Sequence, residues 1–131
     1  MARILVIDDD ATVRLSVRLA LEDADHAVQA AADGREGTIL FRKSPADLVI
    51  SDIFMPEKEG LETIDEIKRL RPETKIIAIS GGGRMDPGDY LTIARSVGAD
   101  RTLLKPFDIR ELVDVVGELL GQQTNDAKLR G

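Results

Sequence analysis

Three short apolar runs, Ile4-Leu5-Val6-Ile7, Leu48-Val49-Ile50 and Ile76-Ile77-Ala78-Ile79, constrain this chain more than any other feature of it. Each is rich in β-branched residues and uninterrupted by polar ones, the pattern of a strand buried on both faces. Between the runs lie segments with apolar residues at helical spacing: Val13, Val17, Ala20, Leu21 and Ala24, then Leu61, Ile64, Ile67 and Leu70. Doubly buried strands alternating with such segments predict a parallel sheet covered by helices on both sides.

The weaker signals complete the pattern. Ala27 to Ala31 reads as a second strand, and Asp33-Gly34 as a turn opening a helix to about Lys43, stopped by Ser44-Pro45. Met55-Pro56 shapes a turn after Asp52; the helix that follows Pro56 ends at Pro72. A helix from about Pro87 to Val97 is closed by Gly98, and Thr102-Leu103-Leu104 is a short last strand. Asp108 with Glu111 makes a capping box for a final helix carrying Ile109, Leu112, Val116 and Leu119. From Gln122 to Gly131 the periodicity lapses into a polar tail, so the expected domain is residues 1–121.

Five strands alternating with five helices, right-handed crossovers and one reversal of winding give a doubly wound α/β domain with sheet order 2-1-3-4-5. In such sheets ligands bind beyond the carboxyl ends of the strands. The central strand ends of this chain carry Asp8 and Asp9, Asp52, Ser80 and Lys105, whereas the edge strand ends in Ala31.

Length and charge narrow the options. A chain of 131 residues holds one domain, and a net charge of -6 with no basic segment argues against direct nucleic-acid binding or an anionic membrane surface. The absence of cysteine excludes disulfides, thiolate metal sites and cysteine nucleophiles. The apolar run at Ile4 is too short for a signal peptide or a membrane span, so the expected setting is cytoplasmic.

Carboxylates converging on one crevice repel one another unless a cation joins them. All-oxygen ligation with retained waters suits Mg²⁺; Asp9 and Asp52 are the expected direct ligands, with Asp8 acting through water and the Phe54 carbonyl within reach. Asp10 fits a helix cap instead. Lys105 adds a compact positive charge and Ser80 a hydroxyl that can donate to an anionic oxygen. These are the parts of a phosphoryl-transfer site in which a carboxylate forms an aspartyl phosphate. Singly, each has a plainer reading as a solvated lysine, a turn serine or a capping aspartate.

The segments ILVIDDD, LVISDIFMPEKEG, IIAIS and TLLKPF, in this order and spacing, closely resemble the receiver domain of bacterial two-component response regulators, from about Arg3 to Leu120. The resemblance, to stand-alone chemotaxis-regulator-like members above all, implies a flavodoxin-like (βα)5 fold. It implies that Asp52 is the phosphoacceptor, that Asp8 and Asp9 are the acidic pair binding Mg²⁺, that Ser80 is the switch hydroxyl and Lys105 the invariant-type lysine, with a cis bond between Lys105 and Pro106. The implied donor is a phosphohistidine on a sensor histidine kinase or phosphotransfer protein. The implied readout is a rearrangement of loops such as Ser80 to Asp89, with Gly81-Gly82-Gly83, after a charge of roughly -2 arrives on the aspartate. The downstream partner is an unknown protein, and a homodimer through the fourth helix, fifth strand and fifth helix is compatible with the sequence.

Two positions depart from the family. Thr102 stands where an aromatic is common, which puts aromatic coupling at the output face around Tyr90 in question. Phe54 stands where a polar residue is common, and its bulk is expected to slow self-dephosphorylation. His26, the sole histidine, reads as a surface residue.

The main rival is a haloacid-dehalogenase-type phosphohydrolase, suggested by Asp8-x-Asp10-x-Thr12, with Asp8 as nucleophile. That family needs a flap insertion after the first strand, and the reading leaves Asp52 without a role. A pseudo-receiver that is never phosphorylated is the non-catalytic rival, and a flavodoxin-type carrier ranks last because the acids would repel its cofactor phosphate.

Overall fold

A computed structural model of the chain describes residues 2–53, 60–80 and 87–130, with 87–91 and 122–130 described by their backbone alone. The elements run β1 (Arg3–Ile7), α1 (Ala11–Asp23), β2 (Ala27–Ala31), α2 (Gly34–Lys43), β3 (Leu48–Asp52), α3 (Gly60–Leu70), β4 (Lys75–Ser80), α4 (Pro87–Ser96), β5 (Arg101–Leu104) and α5 (Ile109–Arg130). The strands form one parallel sheet in the order β2-β1-β3-β4-β5, as the sequence predicts.

Burial separates the strands as their composition does. In β1, β3 and β4 every residue is buried except the first of β1 and of β4, whereas the edge strands β2 and β5 are only partly covered. Side chains of a strand alternate between faces, so each central strand feeds two cores. Ile4, Val6, Leu48, Ile50, Ile77 and Ile79 pack with Val17 and Leu21 of α1 and Leu112 and Val116 of α5. Leu5, Ile7, Val49, Ile76 and Ala78 face the other way, onto Phe41 of α2, Ile64 and Ile67 of α3 and Ala94 of α4. Each fully buried Leu, Ile or Phe contributes about 1.5–3 kcal/mol relative to an exposed one, so both layers hold the sheet in place.

The helix ends follow local chemistry. Asp10 caps α1, its Oδ1 accepting the N–H groups of Thr12 (2.8 Å) and Val13 (3.3 Å), the role its sequence context suggested. At α2, whose sequence pattern is weak, Asp33 accepts the Glu36 N–H and Glu36 accepts the Ala32 N–H, both at 2.8 Å. Such a reciprocal cap compensates for a sparse apolar stripe. After α4 the chain turns at Gly98 (φ +119°), with the Ala99 N–H on the Ala94 carbonyl at 3.0 Å, a left-handed exit that favours glycine. Asp108 starts α5 by accepting the Arg110 N–H at 2.8 Å.

Two details differ from the sequence reading. The helical backbone of α5 continues to Arg130, through the stretch where apolar periodicity lapses. Extending a helix already formed adds one hydrogen bond per residue, so it needs no apolar face of its own. His26 is half-buried, and its Nδ1 accepts the Ala2 N–H at 3.3 Å, tying the start of β1 to that of β2.

Candidate functional site

The sheet ladders continue one residue past the strands, and those last rungs build the site. The Asp8 N–H reaches the Ala31 carbonyl (3.1 Å), the Ile53 N–H the Ile79 carbonyl (2.9 Å) and the Lys105 N–H the Ser80 carbonyl (2.8 Å). With Ile7 opposite Ser51, Asp52 opposite Ile79 and Ser80 opposite Leu104, the strand ends lie side by side. Asp8, Asp52, Ser80 and Lys105 are thereby brought to one rim, although as many as 97 positions separate them along the chain from Asp8 to Lys105.

Burial is unequal among them. Asp8 is 1% exposed, Asp52 4% and Ser80 1%, while Asp9 is open to solvent. Buried carboxylates require partners, and Lys105 supplies one to each: its Nζ lies 2.8 Å from Asp52 Oδ2 and 2.9 Å from Asp8 Oδ2. Only the contact to Asp52 has full hydrogen-bonding geometry; the contact to Asp8 Oδ2 is an ion pair off that geometry. Asp8 Oδ1 accepts the Asp10 N–H at 2.8 Å. Burial on its own would lower the pKa of Lys105, but the close contacts and negative charges of Asp52 and Asp8 together outweigh it and raise the pKa above its ordinary value.

One ammonium does not balance three acids. Carboxylate oxygens of Asp8, Asp9 and Asp52 lie within 4.8 Å of one another, an all-oxygen donor set with an open side at Asp9. Hard donors in that number, three acids against the one ammonium of Lys105 in the cluster among the described residues, fit a divalent cation that keeps part of its water. Ser80 Oγ is buried and has no hydrogen-bond partner among the described residues. A hydroxyl left so is available to an incoming anionic oxygen.

The site residues named from the sequence thus converge, with one set outside the described residues: the Phe54 carbonyl and side chain, Met55-Pro56, the Gly81-Gly82-Gly83 segment and the Tyr90 side chain. Thr102 is half-buried and pairs with Ala78 in the β4–β5 ladder. The Lys105-Pro106 bond is cis, as the resemblance implied. Gly60 is a residue the sequence reading passed over. A Cβ there would collide with the Asp52 carbonyl oxygen and the Ile53 Cα, so α3 can begin against the end of β3 only with glycine. Its signal was a glycine eight residues after the aspartate, at the start of an apolar helix.

A match to the response regulator receiver domain spans residues 4–117. The chain belongs to that family. As a receiver domain it is a signalling module rather than a classical enzyme. It is 35% identical over 130 residues to the DNA-binding transcriptional regulator NtrC of Azospirillum brasilense, covering 98% of this chain but only 26% of that protein. To protein CcdB of Bacillus subtilis (strain 168) it is 33% identical over 122 residues, covering 92% of this receiver and 99% of CcdB. Among solved structures, a CheY-like response regulator receiver domain protein from Methanospirillum hungatei superposes with a TM-score of 0.87 at 29% identity, covering 96% of this chain and 98% of that one. Membership sets the phosphohydrolase reading aside, and the geometry agrees. β1 passes to α1 within a few residues with no flap between them, and Asp10, that motif's second acid, is occupied as a helix cap. Among the described residues no helix is long and apolar enough to cross a membrane.

Proposed function

We propose that Asp52 accepts a phosphoryl group from a phosphohistidine, on a sensor histidine kinase or a phosphotransfer protein, with Mg²⁺ held by Asp8, Asp9 and Asp52. The observation that carries this reading is the placement of the buried Asp52 carboxylate, 2.8 Å from Lys105 and within the acid cluster. In the reaction an Asp52 oxygen attacks phosphorus, the phosphorus–nitrogen bond breaks, and the imidazole leaves with its electron pair. Bound Mg²⁺ supplies charge neutralisation on the phosphoryl oxygens. Lys105 exchanges its contact with Asp52 for one with a phosphoryl oxygen, and Ser80 Oγ–H donates to another. The protein's own work is positioning and charge stabilisation.

The backbone carbonyl of Phe54 completes the proposed ligand set. The receiver catalyses its own phosphorylation and dephosphorylation, acts in the cytoplasm, and signals to another protein without contacting nucleic acid itself; residues 1–121 form the working domain. A homodimer across α4, β5 and α5 is a further expectation of this reading. Incubation with a small phosphodonor such as phosphoramidate and Mg²⁺ tests the core of it. Label should appear on the wild type, vanish in Asp52→Ala and require the divalent ion. Label retained in Asp52→Ala but lost in Asp8→Ala would overturn it in favour of the hydrolase chemistry.

A further inference from the structure

Asp8 and Asp9 serve a cation only if the turn between β1 and α1 keeps both carboxylates directed at Asp52. Most of that turn is accounted for. The Asp8 N–H is spent on Ala31, the Asp10 N–H holds Asp8 Oδ1, and Asp10 itself caps α1. The carbonyl of Asp8 lies before the helix and outside the sheet ladder, so neither element holds it. A carbonyl in that position is satisfied by water or by a side chain, and an unheld peptide can turn.

Arg14 holds it. From the first turns of α1 the half-buried side chain reaches back and donates Nη1–H to the Asp8 carbonyl at 2.8 Å. Among the described residues the Arg14 side chain makes no other hydrogen bond and no ion pair, although acids surround it in sequence at Asp8, Asp9 and Asp10. Its guanidinium is therefore committed to the backbone. Because the peptide is planar, fixing that carbonyl fixes the plane from which Asp9 departs.

We propose that Arg14 is a positioning residue for the cation site: by gripping the Asp8 carbonyl it sets the Asp8–Asp9 peptide so that both carboxylates meet Asp52. The proposal rests on the reading of Asp8, Asp9 and Asp52 as the metal site. A planar guanidinium suits the task, since its N–H donors project in a rigid fork. Among the described residues Arg14 contacts the Asp8 carbonyl and not the Asp52 carboxylate, so its removal weakens metal binding more than it slows chemistry.

The test compares the full chain with Arg14→Met, which keeps an apolar stem without a donor, and Arg14→Lys, which keeps a donor. Mn²⁺ binding is read directly by electron paramagnetic resonance, and phosphoramidate labelling is followed against Mg²⁺ concentration. Arg14→Met should raise the Mn²⁺ dissociation constant by about tenfold or more, as loss of a group supporting a metal ligand does. The half-saturating Mg²⁺ should rise by the same factor, with the labelling rate at saturating Mg²⁺ within about threefold of wild type. Arg14→Lys should recover most of the affinity. Should Arg14→Met fail to fold, Arg14→Gln, too short to reach the carbonyl, carries the same expectation. Unchanged Mn²⁺ affinity in the donor-less variant would overturn the proposal, as would a lower maximal rate at an unchanged Mg²⁺ midpoint. A wild-type chain that binds no Mn²⁺ would instead bring down the metal-site reading and this role with it.

Discussion

The Lys105 N–H donates to the Ser80 carbonyl at 2.8 Å, adding one rung to the β4–β5 ladder between the last residue of β4 and the residue just past β5. That backbone bond puts the only cation paired with Asp8 and Asp52 among the described residues beside a hydroxyl that has no partner there. Lys105 and the Ser80 hydroxyl are thus set side by side by the sheet ladder. From this arrangement several consequences can be measured.

Replacing Lys105 with Met leaves two buried carboxylates without their shared ammonium. Stability by urea unfolding should fall by about 1–3 kcal/mol, because the desolvated charges lose their compensation. Added Mg²⁺ should restore more stability to Lys105→Met than to wild type, since a ligand that binds only the folded state stabilises it in proportion to its affinity. Equal responses to Mg²⁺ would count against charge compensation as the lysine's role.

The raised pKa of Lys105 has a defined pH window. A base whose folded pKa lies above its unfolded value of 10.5 contributes stability that is complete below 10.5 and is lost as pH rises through the higher folded value. The stability difference between wild type and Lys105→Met should therefore be constant through neutral pH and shrink only in the alkaline range above 10.5. Thermal melts of both proteins across that range would reveal it.

His26 behaves in the opposite sense. Burial depresses its pKa below 6.5, against the pull of the Asp25 charge, and protonation would remove the Nδ1 acceptor of the Ala2 N–H. The folded state thus binds fewer protons than the unfolded chain, so this contribution is full above pH 6.5 and declines as pH falls through the depressed folded value. In His26→Gln, acid denaturation profiles should lack that component. The same acid slope in both proteins would assign it to the carboxylates alone.

Two glycines should respond in opposite directions. Gly60→Ala forces the start of α3 away from the Asp52 carbonyl and should cost about 1–3 kcal/mol, with phosphodonor labelling slowed because Asp52 moves too. Gly117 lies inside α5 with open space where a Cβ would stand, so Gly117→Ala should stabilise the domain by about 0.5–1 kcal/mol and leave labelling unchanged. Paired urea titrations with labelling assays decide both.

Much of the architecture was legible before any coordinates. The three doubly buried strands show in the runs at Ile4, Leu48 and Ile76 because burial on both faces demands uninterrupted apolar residues. α2 was harder to read, as its start rests on the reciprocal cap between Asp33 and Glu36 more than on a long apolar stripe. His26 was misjudged as a surface residue, since its tie to Ala2 spans 24 positions and has no local signal.

The sequence by itself determined which residues end the strands, because a strand's burial and its break are written in contiguous residues. It thereby named Asp8, Asp9, Asp52, Ser80 and Lys105. Only the tertiary structure decided which of them touch: Lys105 between the two buried acids, Gly60 against the Asp52 backbone, Arg14 on the Asp8 carbonyl. Those contacts depend on register and crossovers that join distant segments, and the physical reason they escape the sequence is that no local pattern encodes a distance across the sheet.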